Sequence, residues 1–110
     1  ERPDADLVAW LGPCIGRDAF EVGPEVREAF MASDAESARH FLPGAREGKW
    51  LADLAALARR RLARAGVGAI DAIGACTVQD AASFWSYRRD RTCGRIAALV
   101  WLEAEAPRRA

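Results

Sequence analysis

The residues best suited to chemistry lie close together in the stretch 84–95, which reads FWSYRRDRTCGR. Ser86 and Tyr87 carry hydroxyl groups, and Arg88 and Arg95 belong to a cluster of guanidinium groups. A guanidinium is planar and makes two parallel, charge-assisted hydrogen bonds to a phosphate or a carboxylate. We therefore interpret this stretch as the lining of an anion-accepting pocket. The alternative is a solvated turn whose arginines face water.

Apolar segments on both sides must position these residues. Phe84 and Trp85 precede them, Gly94 permits a sharp turn, and 96–102 reads IAALVWL. Glycine tolerates the backbone conformations of tight turns, and a short apolar run is typical of a strand. The sequence thus predicts a hairpin-like unit with a cationic tip, from which 96–102 leaves as an apolar strand.

A second candidate wall is the turn from Gly12 to Gly16, which reads GPCIG and contains Cys14. It follows the apolar run Leu7–Leu11, whose short length and Gly-Pro stop predict a buried strand. Two glycines at the end of a strand bring backbone N–H groups close to a ligand, although they also form turns that bind nothing.

The remaining elements mix helices and strands without repeats, which indicates an α+β fold with a layered mixed sheet and flanking helices. A helix is predicted to begin at Pro24, because proline suits the first helical turn. The other predicted elements are a strand at 20–23, one or two helical turns at 34–42, the clearest helix at 49–65 and a strand at 67–75.

Charge and length restrict the class of protein. The 110 residues suffice for one domain, and 16 basic residues balance 16 acidic ones to a net charge of +0. We therefore expect neither a nucleic-acid partner nor a membrane partner. The arginines at 59–61 and 64 are interpreted as a solvated helix face. The chain begins at Glu1 without Met, which suggests a partial polypeptide.

The cysteines are Cys14, Cys76 and Cys93, and His40 is the only histidine. An odd number of widely separated cysteines does not indicate a secreted disulfide framework, so a reducing cytoplasm is expected. Zinc sites usually contain a close-spaced ligand pair, which these residues lack. We therefore predict no complete zinc site from this chain and expect the cysteines to pack as small apolar side chains.

Several stretches, taken in order and spacing, resemble the YfiH-like family, which is also called the laccase-like polyphenol oxidoreductase or peptidoglycan editing factor family. The resemblance extends from about Leu7 to Leu102. Residues 103–110 are expected to form a frayed tail. The stretches that carry the resemblance are 9–16, 20–26, 49–54, 76–77, 84–90 and 94–95.

The resemblance implies a cytoplasmic purine nucleoside phosphorylase that splits adenosine, inosine and methylthioadenosine with phosphate and also deaminates adenosine. It implies a fold like the catalytic domain of cytotoxic necrotizing factor toxins. The family's zinc ligands, two His and one Cys, belong to motifs that precede the W-L-G-P stretch and do not occur here. The chain would then be the C-terminal half of one domain, inactive without its N-terminal half.

From the same resemblance, Ser86, Tyr87 and Arg88 are expected to face the phosphate or the ribose, with Arg95 supporting their loop. Gly12 and Cys14 would belong to an opposing wall. Alternatively, Arg88 or Arg95 forms a structural ion pair with Asp90 or Asp53. No catalytic or metal-binding residue is predicted in this chain. Rival functions are copper-dependent polyphenol oxidation, editing of a peptidoglycan precursor, and a binding module without enzymatic activity.

Overall fold

The computed structural model describes residues 6–101 and 103. Strands and helices alternate in this part of the chain, and both parallel and antiparallel pairs of strands occur, so the predicted α+β class is confirmed. In chain order the elements are β1 (Val8–Leu11), β2 (Glu21–Val22), α1 (Pro24–Ser33), β3 (Phe41–Pro43), β4 (Trp50–Ala52), α2 (Leu54–Arg64) and β5 (Ala69–Ala72). Two 3-10 helices, Arg17–Ala19 and Ala35–His40, complete them.

The strands form two small sheets. In the first, β1 runs parallel to β5, and Val8 lies opposite Ala69. In the second, β4 lies between β2 and β3 and is antiparallel to both. Parallel strands require a long crossover connection, and here that connection contains the whole second sheet and both α-helices.

The core lies between the second sheet and the helices. Its buried side chains are Val22, Phe41, Ala52 and Leu57, of which Leu57 is 2% exposed. The rings of Phe30 and Phe41 pack in a tilted arrangement with centroids 5.9 Å apart. This small core explains why the central strand and the two helices hold together, because apolar burial is the main favourable term in folding.

The helix predicted at 49–65 begins later than expected. Trp50–Ala52 form β4, and α2 starts after Asp53, whose carboxylate accepts a 3.1 Å hydrogen bond from the Ala56 N–H. Apolar residues do repeat at helical spacing within 49–65. The first of these residues nevertheless pair with two neighbouring strands, and this pairing decides their structure. Gly66, with φ of +97°, follows the helix, since this left-handed conformation favours glycine.

The predicted helical turns at 34–42 are confirmed only in part. Asp34 caps a 3-10 helix by accepting a 3.2 Å hydrogen bond from the Glu36 N–H, but Phe41–Pro43 form β3. The side chain of Phe41 is 4% exposed, so its burial against the core accounts for the change from helix to strand.

The arginine run of α2 is largely exposed, as the sequence predicts, since only Arg60 is half-buried. Its guanidinium groups nevertheless make contacts that the sequence did not predict. Arg60 donates to both carboxylate oxygens of Asp34, and Arg64 lies 3.3 Å from the same carboxylate. Arg59 donates to the Ile70 carbonyl at 2.9 Å, and the Arg61 guanidinium stacks over a phenylalanine ring. These contacts tie α2 to its neighbours. The hydrogen bond from Arg60 lowers the pKa of Asp34 to about 2.

The strand at 7–11 forms as β1, but it is not buried as predicted. Val8 is 74% exposed and Trp10 is 60% exposed, because β5 is the one described strand beside it. The predicted strand at 67–75 is shortened to β5.

In the described part of the chain, no helix has the length and apolar character needed to cross a membrane.

The apolar strand predicted at 96–102 is wrong for the residues that the structure describes. Residues 96–101 pair with no described strand, and Leu99, Val100 and Trp101 are largely exposed. A strand requires a hydrogen-bonded neighbour, and none lies beside this segment in residues 6–101 and 103. Leu102 and the predicted frayed residues 104–110 lie outside the described part.

Candidate functional site

Arg89 organises the segment that contains the predicted site. Its guanidinium donates to the carbonyls of Thr77 at 2.7 Å, Val78 at 3.2 Å and Phe84 at 2.9 Å, and to the carboxylate of Asp90 at 2.6 Å. One planar, always charged group therefore holds both ends of the turn 77–90. Sequence reasoning included Arg89 in the cationic cluster but gave it no role, although the adjacent Arg-Asp pair was visible.

Ser86 supports this turn from inside. It is 8% exposed, its hydroxyl accepts a 3.3 Å hydrogen bond from the Arg89 N–H, and its carbonyl accepts one of 2.8 Å from the Asp90 N–H. The hydroxyl predicted to face a ligand thus accepts one hydrogen bond within the turn. Ser86 shapes the loop that carries the neighbouring arginines.

Three other arginines of this segment, Arg88, Arg91 and Arg95, are exposed, and so is Tyr87, at 51%. The guanidinium carbons of Arg91 and Arg95 lie 5.5 Å and 5.0 Å from the centre of the Tyr87 ring. Arg88 donates to the Glu21 carbonyl at 2.9 Å and lies over the Phe20 ring. We call Tyr87, Arg88, Arg91 and Arg95 the cationic turn.

No ion pair joins a described carboxylate to Arg88, Arg91 or Arg95. The predicted alternative, a structural pair with Asp90 or Asp53, is not what the structure contains. Asp90 pairs with Arg89, and Asp53 caps α2. The charges of the cationic turn are therefore not neutralised by the carboxylates of residues 6–101 and 103, which suits a surface that binds an anion.

Gly94 keeps the cationic turn close to the indole of Trp85. A Cβ atom at Gly94 would lie 2.8 Å from ring atoms of that indole, a distance that real Cβ atoms do not adopt. The sequence predicts that Gly94 permits the turn. The structural reason is the close approach of the Trp85 indole and not a positive φ.

Gly12 and Cys14 line a pocket of about 350 Å³ at the carboxyl end of β1 and β5. In parallel sheets ligands bind beyond the carboxyl ends of the strands, where the following loops supply the contacts. Here the two loops are 12–16 and 73–77. The other side chains around the pocket include Arg17, Asp18, Asp53, Cys76 and Gln79.

The predicted site residues therefore fall into two groups. Gly12 and Cys14 line this pocket, whereas the cationic turn and Ser86 do not. Thr77 connects them, because its N–H donates to the Cys14 carbonyl at 2.9 Å and its own carbonyl accepts from Arg89. Sequence reasoning missed Cys76, which lies opposite Cys14 in an isolated parallel bridge. Only the pairing of β1 with β5 brings these two cysteines together.

The described residues do not form a metal centre of their own. Across residues 6–101 and 103, no three His, Cys, Asp or Glu side chains lie close enough together to hold a metal ion. Zinc and copper sites in proteins use such clusters. The residues present thus do not fit either metal without further ligands.

Residues 1–103 match the family described as multi-copper polyphenol oxidoreductase laccase. The chain belongs to this family. The resemblance predicted from the sequence motifs is thereby confirmed, since two curated relatives and one solved structure carry the name YfiH.

Two curated relatives show how similar the family members are. A protein of Pseudomonas aeruginosa named purine nucleoside phosphorylase PA4543 is 52% identical over 101 residues, which are 92% of this chain and 42% of that protein. Purine nucleoside phosphorylase YfiH of Escherichia coli K12 is 52% identical over 97 residues, which are 88% of this chain and 39% of that protein. The chain spans about two fifths of the length of these relatives.

Two solved structures support the fold. Neisseria meningitidis protein NMB0706 aligns with a TM-score of 0.69 at 51% identity and covers 74% of this chain and 33% of that one. Bacillus licheniformis hypothetical protein YfiH aligns with a TM-score of 0.68 at 28% identity and covers 74% of this chain and 32% of that one. Both alignments leave two thirds of the solved chain unmatched.

Proposed function

We propose that this chain is the C-terminal part of a purine nucleoside phosphorylase domain and that its cationic turn helps to bind phosphate. The observation that carries the proposal is that three exposed arginines of one segment have no described carboxylate partner: Arg91 and Arg95 lie beside the Tyr87 ring, and Arg88 lies against the Phe20 ring. The names of the curated relatives supply the reaction class. Phosphate is a dianion that such guanidinium groups bind well.

In phosphorolysis the phosphate must be held in line with the sugar carbon while positive charge develops on the ribose. Fixed guanidinium and backbone donors achieve this by positioning and by charge stabilisation. Arg88 is suited to the task, because its contact with the Glu21 carbonyl uses one of its five N–H groups. Arg95 and Arg91 would then hold the Tyr87 ring in place and add positive charge.

We assign to the whole enzyme a cytoplasmic reaction of phosphate with adenosine, inosine or methylthioadenosine. Deamination of adenosine is a second activity of the same proposal. As the resemblance implies, we assign the zinc ligands to the N-terminal part. The lack of a metal-ligand cluster among the described residues is compatible with this assignment. The exposed apolar residues at 96–101 suit a surface that this part covers.

The decisive experiment joins this chain to the N-terminal part of the Pseudomonas aeruginosa relative and measures phosphate-dependent release of hypoxanthine from inosine. We expect activity in the joined, zinc-loaded protein and none in the 110-residue chain alone. Arg88→Ala should raise the KM for phosphate about tenfold or more, because one charge-assisted contact is worth about 1.5–3 kcal/mol.

Arg46→Ala is the matched control, since Arg46 is an exposed arginine whose partner is the Glu21 side chain. Its KM for phosphate should not change. Absence of phosphate-dependent hypoxanthine release from the folded, joined protein would contradict the proposal, and an unchanged phosphate KM in Arg88→Ala would contradict the role of Arg88.

A second candidate is oxidation of polyphenols with copper, which the description of the matched family favours. The same joined protein, loaded with copper instead of zinc, would then consume oxygen in the presence of a phenolic substrate. Oxygen uptake without hypoxanthine release would favour this candidate over the phosphorylase.

A further inference from the structure

Cys14 and Cys76 lie directly opposite each other, although the sequence places them far apart. They form an isolated parallel bridge just beyond β1 and β5, and the Thr77 N–H donates to the Cys14 carbonyl at 2.9 Å. Neighbouring strands lie about 5 Å apart, and opposed residues of a parallel pair point to the same face. This separation falls within the roughly 4.4–6.8 Å between Cα atoms that a disulfide requires.

The surroundings of Cys76 favour a thiolate. Its sulfur accepts a 3.1 Å hydrogen bond from the Gly16 N–H. Burial acts to raise the pKa of this thiol, but the hydrogen bonds from Gln79, Gly16 and Val78 outweigh it and lower the pKa below its ordinary value. Backbone N–H groups arranged in this way stabilise anions.

Gly16 is what allows this arrangement. A Cβ atom at Gly16 would lie 3.3 Å from the Cys76 sulfur and 3.1 Å from its Cβ, so a larger residue would press against the sulfur that the Gly16 N–H binds. The sulfur also borders the 350 Å³ pocket, through which a small reagent reaches it.

Cys14 has the complementary character. Burial, followed by the charge of nearby Cys76 and Asp53, raises the pKa of the Cys14 thiol. It is therefore less ionised than an ordinary thiol at neutral pH and reacts more slowly with a hydroperoxide, because the thiolate is the better nucleophile. It also lines the same pocket. The two cysteines thus form an asymmetric pair with one reactive sulfur.

We propose that Cys14 and Cys76 are a redox-active pair that a hydroperoxide converts to a disulfide, with Cys76 as the reacting sulfur and Cys14 as the resolving one. This modification site is independent of the proposed phosphorylase activity. It joins the two loops at the carboxyl end of the parallel strands and so changes the wall of the pocket.

The chemistry balances in two steps. The Cys76 thiolate attacks the terminal oxygen of the hydroperoxide, an S–O bond forms and the O–O bond breaks. The alkoxide or hydroxide that is released takes a proton from solvent and leaves as the alcohol or water. The Cys14 sulfur then attacks the sulfenic sulfur of Cys76, an S–S bond forms, and the S–O bond breaks. The hydroxyl leaves as water with the proton of Cys14. The peroxide gains two electrons and the two sulfurs together lose them, and a small dithiol reverses the change.

The test treats the reduced 110-residue chain with an equimolar amount of hydrogen peroxide and maps its tryptic peptides by mass spectrometry. Arginines separate the three cysteines into different peptides. We expect a cross-link between the peptides of Cys14 and Cys76 that dithiothreitol removes. Cys93→Ser should form the same cross-link, whereas Cys76→Ser should form none.

Cys14→Ser distinguishes the reacting sulfur from the resolving one. In this variant we expect a sulfenic acid on Cys76 that dimedone traps, with little label on Cys93. The selectivity should disappear in guanidinium chloride, where the backbone donors no longer surround the sulfur. A cross-link that involves Cys93, preferential labelling of Cys93, or equal selectivity with and without denaturant would overturn the proposal.

Discussion

The guanidinium of Arg89 donates a 2.7 Å hydrogen bond to the carbonyl of Thr77, twelve residues earlier in the chain. Through Thr77 it is linked to Cys14 and hence to the pocket at the end of the parallel strands. Its neighbour Arg88 lies on the surface against Phe20 and the Glu21 carbonyl. Two adjacent arginines therefore differ: Arg89 holds the turn together, and Arg88, which we propose as a phosphate ligand, lies at the surface.

Replacement of Arg89 should destabilise the protein. Arg89→Ala removes a charged donor from three carbonyls and from Asp90, so we expect a loss of about 2 kcal/mol in the free energy of unfolding. Arg88→Ala should change it by less than about 0.5 kcal/mol, as expected for an exposed residue. Urea unfolding of both variants measures this, and equal losses would contradict the division of tasks.

The negative charge of Asp34 should stabilise the folded protein, and protonation of Asp34 in acid should remove this stabilisation. Its folded-state pKa of about 2 lies below the ordinary value of about 3.9. The contribution is therefore complete above the ordinary value and is lost as the pH falls from about 4 toward 2. Asp34→Asn keeps an N-cap but removes the charge, so it should unfold at lower urea than the wild type at pH 7.

The difference between wild type and Asp34→Asn should shrink as the pH approaches 2. Glu36→Gln is the control, because its partner Arg39 lies 3.9 Å away and both side chains are exposed. That variant should unfold like the wild type throughout. If the stability difference between wild type and Asp34→Asn were the same at all pH values, the ion pairs of Asp34 with Arg60 and Arg64 would not be the source of that difference.

Leu57 should be the most costly leucine to truncate. It is 2% exposed in the core cluster, so Leu57→Ala should destabilise the chain by about 2–5 kcal/mol through lost burial and a new cavity. Leu99 is 83% exposed, and Leu99→Ala should cost less than about 0.5 kcal/mol. Chemical denaturation of the two variants in parallel tests the location of the core.

Exposure of 96–101 leads to a related expectation for the joined protein. If the N-terminal part covers this segment, its backbone N–H groups should exchange with deuterium more slowly in the joined protein than in the chain alone. Residues 45–48, in an exposed loop that contains Gly48, provide an internal reference for unchanged exchange. If the N–H groups of 96–101 exchanged equally in the two proteins, the surface that the N-terminal part covers would lie elsewhere.

Gly94 should not tolerate a side chain. Gly94→Ala would place a methyl group 2.8 Å from the Trp85 indole, and we expect a loss of about 1–3 kcal/mol as the turn shifts. Gly68→Ala is the control, because no atom lies within 4 Å of its added Cβ and its φ is not in the left-handed region. The control should be neutral or slightly stabilising.

Local signals predicted much of the fold. Pro24 at the start of α1, the cap at Asp34 and Gly66 after α2 follow from side-chain chemistry that acts within a few residues. The pairing of Trp50–Ala52 with two other strands could not be predicted in this way, because helical spacing in the same window is satisfied equally well. Tertiary pairing decides such ambiguous windows.

The candidate site was predicted less completely. Arginine chemistry and the glycine turn identified Arg88, Arg95, Gly12 and Cys14 as candidates, but the sequence could not separate Arg88 from Arg89. That distinction depends on which guanidinium reaches the Thr77 carbonyl. Likewise, the proximity of Cys14 to Cys76 depends on a parallel register that no local pattern encodes.

The connection between β1 and β5 has a kinetic consequence. Val8 meets Ala69 after roughly sixty intervening residues, and loops of this length close slowly, since chain entropy opposes long-range encounters. The antiparallel strands and helices between them assemble from nearer neighbours. The pocket, which exists only where β1 and β5 end together, should therefore be among the last features to appear during folding and the first to vanish when the chain begins to unravel.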